Sequence, residues 1–303
     1  MNALQPSGRP WTAGPGHGGP TVLRILLGGQ LRRLREAKGI SREAAGDAIR
    51  ASGSKISRME LGRVGFKERD VADLLTLYGV HDRDEREAML GLVFRANAPG
   101  WWHNFGDILP SWFEVYIGLE EAACTLRIHE TRFVPELLQT EEYARASIGL
   151  VHPDASAAEV ERRVTLLMRR QEILRRSDPP QLWAVLDEAA LHRRVGGEAV
   201  MRDQLRALID AVRSPAVTVQ IVPAGHGAVA ALTGPFSMLR FAETALPDIV
   251  YLEQLTSALY LDKPADLVVY KRCLDRLSVN ARPPTATAGI CAELLGRQWE
   301  REG

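Results

Sequence analysis

SREAAGDAIRASGSKISRMELGR, residues 41–63, is the stretch that decides how the N-terminal third folds. Ser41 can accept a hydrogen bond from the first turn of a helix, and Glu43 places a carboxylate near that helix's positive end. Ala45 and Ile49 follow at i, i+4 and form one inward stripe. Residues 50–52 interrupt the pattern. Ser52 then offers a second cap, and Ile56 and Met59 form a second inward stripe at i, i+3. This predicts two short helices joined by a tight turn, with Ser54, Lys55, Ser57 and Arg58 outside the buried stripe.

The flanks extend the pattern. Upstream, Leu27, Leu31 and Leu34 predict a helix over 22–37, ended by Lys38 and Gly39. Downstream, Val71, Leu74, Leu75 and Tyr78 predict a helix over 68–78, and a fifth covers 84–96. The first twenty residues hold five Gly and four Pro, which predicts a disordered tail over 1–20 with no core to bury.

Five short helices, the second and third forming the turn unit, resemble the lambda-repressor/Cro-like, or XRE, family. The matching residues are LRRLREAKGIS (31–41), the Ile56-Ser57-Arg58-Met59-Glu60 run with Gly62, and the Leu-rich helix ending in Tyr78-Gly79-Val80. The resemblance implies a third helix in the DNA major groove and a second helix whose start meets phosphate. By position, Arg42 stands where the family often has a phosphate-contacting Gln. Ser54, Lys55, Ser57 and Arg58 are the residues it places toward base edges or phosphates, and Glu60 is structural. Two positions depart from the family. Gly46 replaces the usual Ala, at roughly 1 kcal/mol of helix propensity, and Arg50 replaces the turn Gly.

Charge agrees with a basic module on an acidic body. Residues 21–69 carry 12 Lys/Arg against 5 Asp/Glu, whereas the rest of this formally neutral chain carries 26 against 33. At 303 residues, with 46% hydrophobic and 25% charged, the chain has room for two cored domains. Cys124, Cys273 and Cys291 are sparse and show no ligand spacing, which suits a reducing cytoplasm better than a disulfide framework. No apolar run of about 18 residues is present to span a bilayer, and the N-terminus lacks a signal-peptide pattern.

After Pro99-Gly100 the composition changes. Residues 98–123 form an aromatic-rich junction in which Trp101, Trp102, Trp112 and Phe113 are read as core packing, with an aromatic ligand box as the alternative. From residue 124 strands and helices mix. Strands are predicted within 124–134, 182–187, 217–222, 236–241 and 248–255, with a short edge at Tyr260-Leu261. Helices are predicted over 112–123, 158–176, 200–212 and 266–281 and from Thr287, with a short helical pair in 135–150. The fold class is therefore α+β overall, an all-α five-helix domain (21–97) followed by a mixed α+β domain (124–303) with a mainly antiparallel sheet.

RFVPELLQTEEYARA, LWAVLDEAALHRRVGG, VTVQIVPAGHGAVAALTGPFSMLRF and DIVYLEQL, in that order, resemble the DUF5753 domain. That resemblance implies a layout similar to actinobacterial regulators of sporulation and antibiotic production, such as the WhiJ-like group, with DUF397-type partner proteins. It brings no catalytic residue set.

Catalytic signals are weak. His226 sits in the Gly-rich loop PAGHGAVAALTGP, which is read as a surface connection; the alternative is a ligand loop with Glu253 and Glu188 as polar partners. There is no phosphate-cradling glycine motif, no HExxH, and no GxSxG around the conceivable Ser237, His192 and Asp187 triad. The arginines of 158–176 are read as a solvated face paired with Glu159, Glu161 and Glu172, with contact to DNA flanks or an acidic partner as the alternative. The expectation is a cytoplasmic, dimeric, non-enzymatic transcriptional regulator. It binds double-stranded DNA and needs neither cofactor nor metal, and its C-terminal domain senses a small-molecule effector or protein partner. A protein-interaction module that binds an acidic partner without DNA, and an enzyme with a site near His226, are the alternatives.

Overall fold

The computed structural model describes residues 19–224, 234–243 and 246–297. The predicted tail lies mostly outside these residues, as does His226. The chain divides into two compact units, Met1–Trp101 and Trp102–Gly303.

The first unit is helical: α1 (Pro20–Ala37), α2 (Arg42–Ala48), α3 (Gly53–Glu60), α4 (Glu68–Leu77) and α5 (Arg83–Ala96). α1 begins two residues before the predicted start, because Pro20 fits the first helical turn, where no N–H is needed. Ser41 Oγ accepts from Ala44 N at 3.1 Å and Ser52 Oγ from Lys55 N at 3.3 Å, so both predicted caps form. The core joins Leu23, Leu27 and Leu31 to Ala45, Ile56, Met59, Val71, Leu74, Leu75, Met89 and Val93, with Leu34 only partly buried at its margin.

Four of these helices end in the same way. α1, α3 and α4 are each followed by a glycine in the left-handed region, Gly39, Gly62 and Gly79, at φ 65°, 65° and 72°. α2 is followed by Arg50 at φ 54°. There Ala51 N donates to Gly46 O at 2.8 Å and Arg50 N to Asp47 O at 3.1 Å, the two bonds that close a Schellman cap. Arg50 therefore adopts the conformation that glycine adopts elsewhere. Gly46 also has a reason beyond propensity. A Cβ there would lie 2.5 Å from Ala51 O, so the return of the chain into α3 leaves no room for the family's Ala.

The second unit packs helices on one six-stranded sheet. A 3-10 turn (Trp101–Phe105) precedes α6 (Ser111–Ala122) and β1 (Thr125–Glu130). Then come α7 (Glu141–Val151), α8 (Ala157–Gln171), β2 (Gln181–Asp187), α9 (Glu188–His192), α10 (Glu198–Ala211) and β3 (Val217–Val222). β4 (Phe236–Arg240), β5 (Ile249–Glu253), β6 (Ala258–Leu261), α11 (Pro264–Asn280) and α12 (Thr287–Arg297) complete it. The strand order is β3-β2-β1-β4-β5-β6. β1–β2 and β2–β3 are parallel, whereas β1–β4, β4–β5 and β5–β6 are antiparallel, so the sheet is mixed and mostly antiparallel. The parallel half follows from connection length: helices link β1 to β2 and β2 to β3, and only such long crossovers return a strand in the same direction.

The arginine-rich segment differs from its expected form. The helix ends at Gln171 and continues as a 3-10 turn over Glu172–Arg175. Arg162, Arg163, Arg170 and Arg176 find their partners off their own helix. Arg170 is 3% exposed and forks onto Glu120 at 2.7 and 2.8 Å, with Glu136 at 2.5 Å as a second carboxylate. Arg162 reaches Asp107, Arg163 reaches Ile108 O and Arg176 reaches Glu121. Glu161 instead pairs with Arg145, and Glu159 closes a capping box with Ser156. The sequence pattern showed charge periodicity on one helix, but the partners lie 34 to 58 residues away.

Candidate nucleic-acid interface

α2 and α3 are held by their inward faces. Ala45, Ile56 and Met59 are at most 1% exposed and Ile49 is 8% exposed. Behind them is a buried ion pair. Arg35 Nε donates to Glu60 Oε1 at 2.5 Å, its second nitrogen donates to Oε2 at 3.1 Å, and Nη1 donates to Ile40 O at 2.8 Å. The Glu60 hydrogen bond holds the Arg35 guanidinium above its usual pKa, and burial beside Glu60 pushes the Tyr78 hydroxyl up to about 12. Glu60 thus ties α3 to the end of α1 and to the chain entering α2, which gives its predicted structural role a mechanism. Breaking such a pair leaves one buried charge uncompensated.

The outward residues fall into three groups. Ser54 and Arg58 are exposed and Ser57 is half-buried, and the Arg58 guanidinium has no side-chain partner among the described residues. Arg42, at the first position of α2, is 43% exposed and leans toward Glu60 Oε2 at 3.4 Å. Lys55 is different. Its Nζ lies 2.6 Å from Asp70 Oδ2 on α4, so its charge is already matched within the unit. Nothing in the local pattern of α3 signals this, because Asp70 is fifteen residues downstream.

Among the described residues the C-terminal candidates Trp102, Glu253 and Glu188 lie in separate settings. Trp102 is 1% exposed and is a core side chain. Trp112 and Phe113 belong to a separate run of rings. Phe113 stacks on Tyr116 at 5.5 Å, Tyr116 on Tyr251 at 4.2 Å, and Tyr251 meets Tyr260 at 5.2 Å. Tyr260 Oη closes the run by donating to Trp112 O at 2.6 Å. Glu253 ends β5 and accepts from the Tyr251 hydroxyl at 3.2 Å. Glu188 follows β2 and accepts from Ala224 N at 2.8 Å. Three strand spacings separate β2 from β5, roughly 14 Å, so Glu188 and Glu253 do not form a pair. Asp187 caps Ala189 N, and His192 lies against Glu188. Among the described residues no group of His, Cys, Asp or Glu is arranged to hold a metal ion, and no helix is long and apolar enough to cross a membrane.

Sequence reading missed the polar centre of this unit. Arg170 and Glu120 are both almost fully buried, and Arg170 lies over the Phe113 and Tyr116 rings at 5.1 and 5.5 Å. Glu130, the last residue of β1, is partly buried, and burial pushes its carboxyl up to about 7 against the opposing pull of Arg132.

A capped helix pair with an exposed outer face on a five-helix core defines a helix-turn-helix protein, and residues 26–89 match a helix-turn-helix domain. Residues 113–293 match the domain of unknown function DUF5753, which covers more than half of the sequence, and the chain belongs to that family. No curated protein and no solved structure matches it. With its helix-turn-helix domain the chain is a regulator of the DNA-binding type.

Proposed function

We propose that this protein is a sequence-specific transcriptional regulator that docks α3 in the major groove of duplex DNA. The observation that carries this reading is the division of α3 into a sealed inner face, Ile56 and Met59, and an open outer face, Ser54, Ser57 and Arg58. In such a mode Arg58 and Ser54 read base edges, and Arg42 at the start of α2 meets phosphate. Lys55 contributes to base contacts only after exchanging Asp70 for DNA, so its net gain is smaller than that of Arg58. The DUF5753 domain supplies the regulatory input from an effector or a partner protein, and dimerisation presents two half-sites about one helical turn apart.

The test is to recover genomic fragments on the immobilised full-length chain and to titrate the enriched duplex against a scrambled one. Preference for the enriched duplex by a thousandfold or more supports the reading, since specific sites commonly exceed random DNA by that margin. No retention of any duplex at low salt rejects it.

A further inference from the structure

Arg50 stands apart from the other helix ends of the unit in its backbone, and it combines that backbone with an exposed, unmatched charge. It is the one non-glycine residue with positive φ among the described residues. A side-chain-bearing residue is strained in that region, and the three equivalent helix ends of the same unit relieve the strain with glycine. It is exposed, and its guanidinium makes no hydrogen bond or ion pair among the described residues. Arg32 pairs with Glu36, Arg35 and Arg42 with Glu60, Lys55 with Asp70 and Arg69 with Asp73, whereas Arg50, like Arg58, Arg63 and Lys67, has no such pair among the described residues. The fold therefore gains nothing from a cation here and loses conformational energy by holding one. Strain that local packing does not offset marks a position kept for what it does in a complex.

The position limits what that complex is. Arg50 stands in the turn between α2 and α3, two residues before the Ser52 cap of α3. The Schellman bonds from Ala51 N to Gly46 O and from Arg50 N to Asp47 O fix its backbone. Arg50 is an exposed residue of the turn and not of the outer face of α3. We infer that Arg50 is a phosphate-binding residue of the DNA interface, a fixed cation that anchors the turn of the helix pair to the sugar-phosphate backbone. This rests on the DNA-binding reading above and adds a contact that the glycine found at the other three helix ends cannot make.

A phosphate contact is independent of sequence, so the experiment needs no operator. Full-length wild type, Arg50→Gly and Arg50→Lys are titrated with a random 30-base-pair duplex across a salt series, and their thermal midpoints are measured without DNA. Arg50→Gly is expected to raise the midpoint by several degrees while weakening binding severalfold at low salt. The slope of log K against log salt falls by about 0.9, the loss of one counterion-releasing contact. Arg50→Lys keeps the wild-type slope and does not gain the added stability. If Arg50→Gly binds with unchanged affinity and slope, Arg50 is not a phosphate contact, while the DNA-binding reading stands. If wild type itself fails to bind any duplex, both fall. A slope change in Arg50→Gly accompanied by a lowered midpoint also overturns the inference, because the variant would then have disturbed the turn.

Discussion

The α3 region and the α8 region both carry arginines, yet the two sets are held differently. On α8 and the turn after it, Arg162, Arg163, Arg170 and Arg176 each reach a carboxylate or carbonyl elsewhere in the unit, and Arg170 is buried with Glu120. On α3 and the turn before it, Arg58 and Arg50 have no such partner among the described residues. The difference shows that a count of positive charge does not locate an interface. What distinguishes the helix-turn-helix is cation density that its own fold leaves unmatched, and such charge is available to polyanions at little desolvation cost.

The largest expected effect lies on the α8 side. Arg170→Ala strands the Glu120 carboxylate in the core and should destabilise the chain by about 3–5 kcal/mol in denaturant titration, whereas a joint Arg170→Met, Glu120→Leu exchange should recover most of the loss. Recovery failing in the joint variant would mean that the pair is more than structural. Next is Arg58→Ala, expected to lower affinity for the enriched duplex by about 1–3 kcal/mol with an unchanged unfolding midpoint. Equal losses on enriched and random duplexes would recast Arg58 as a phosphate contact.

Glu130 gives a smaller, pH-dependent effect. Burial holds its folded pKa at about 7, above the usual carboxyl range, so the native state binds this proton more tightly than the unfolded chain. Below about pH 4.5 the carboxyl is neutral in both states and costs nothing, and the cost of burying its charge grows as pH rises through about 7. Glu130→Gln should therefore raise the unfolding free energy at pH 8, by roughly 1–2 kcal/mol after solvent screening, and leave it nearly unchanged at pH 4. A gain of equal size at both pH values would rule out the carboxyl's charge as the cause. Arg162→Ala is expected to have the least effect, a small fall in midpoint with DNA affinity unaltered. A DNA defect in that variant would erase the contrast between the two helices.

Legibility in the sequence followed the range of the interactions. The five N-terminal helices were readable because caps, glycine stops and apolar stripes act within a few residues. Ser41, Ser52 and Gly39 carried their own signals. Lys55 was not, since its pairing with Asp70 depends on how α4 packs beside α3. In the second unit most strands were readable as segments, but not the insertion of β4 beside β1 instead of β3. The buried Arg170–Glu120 pair was likewise hidden, because both residues look like surface charge until distant elements close over them.

The central place of β1 has a consequence for the order of events on the ribosome. β1 needs β2 on one edge and β4 on the other, and β4 begins only at Phe236. At roughly 5–20 residues per second, β1 spends on the order of ten seconds with an unpaired edge after it emerges. The backbone N–H and C=O groups along that edge of β1 have no β4 partner during that interval. The helix-turn-helix unit, complete by Trp101 and built from local contacts, can close well before then. A nascent chain thus carries its folded N-terminal unit ahead of a sheet that is still open, and conditions that slow translation between β1 and β4 favour strand-edge association between neighbouring chains.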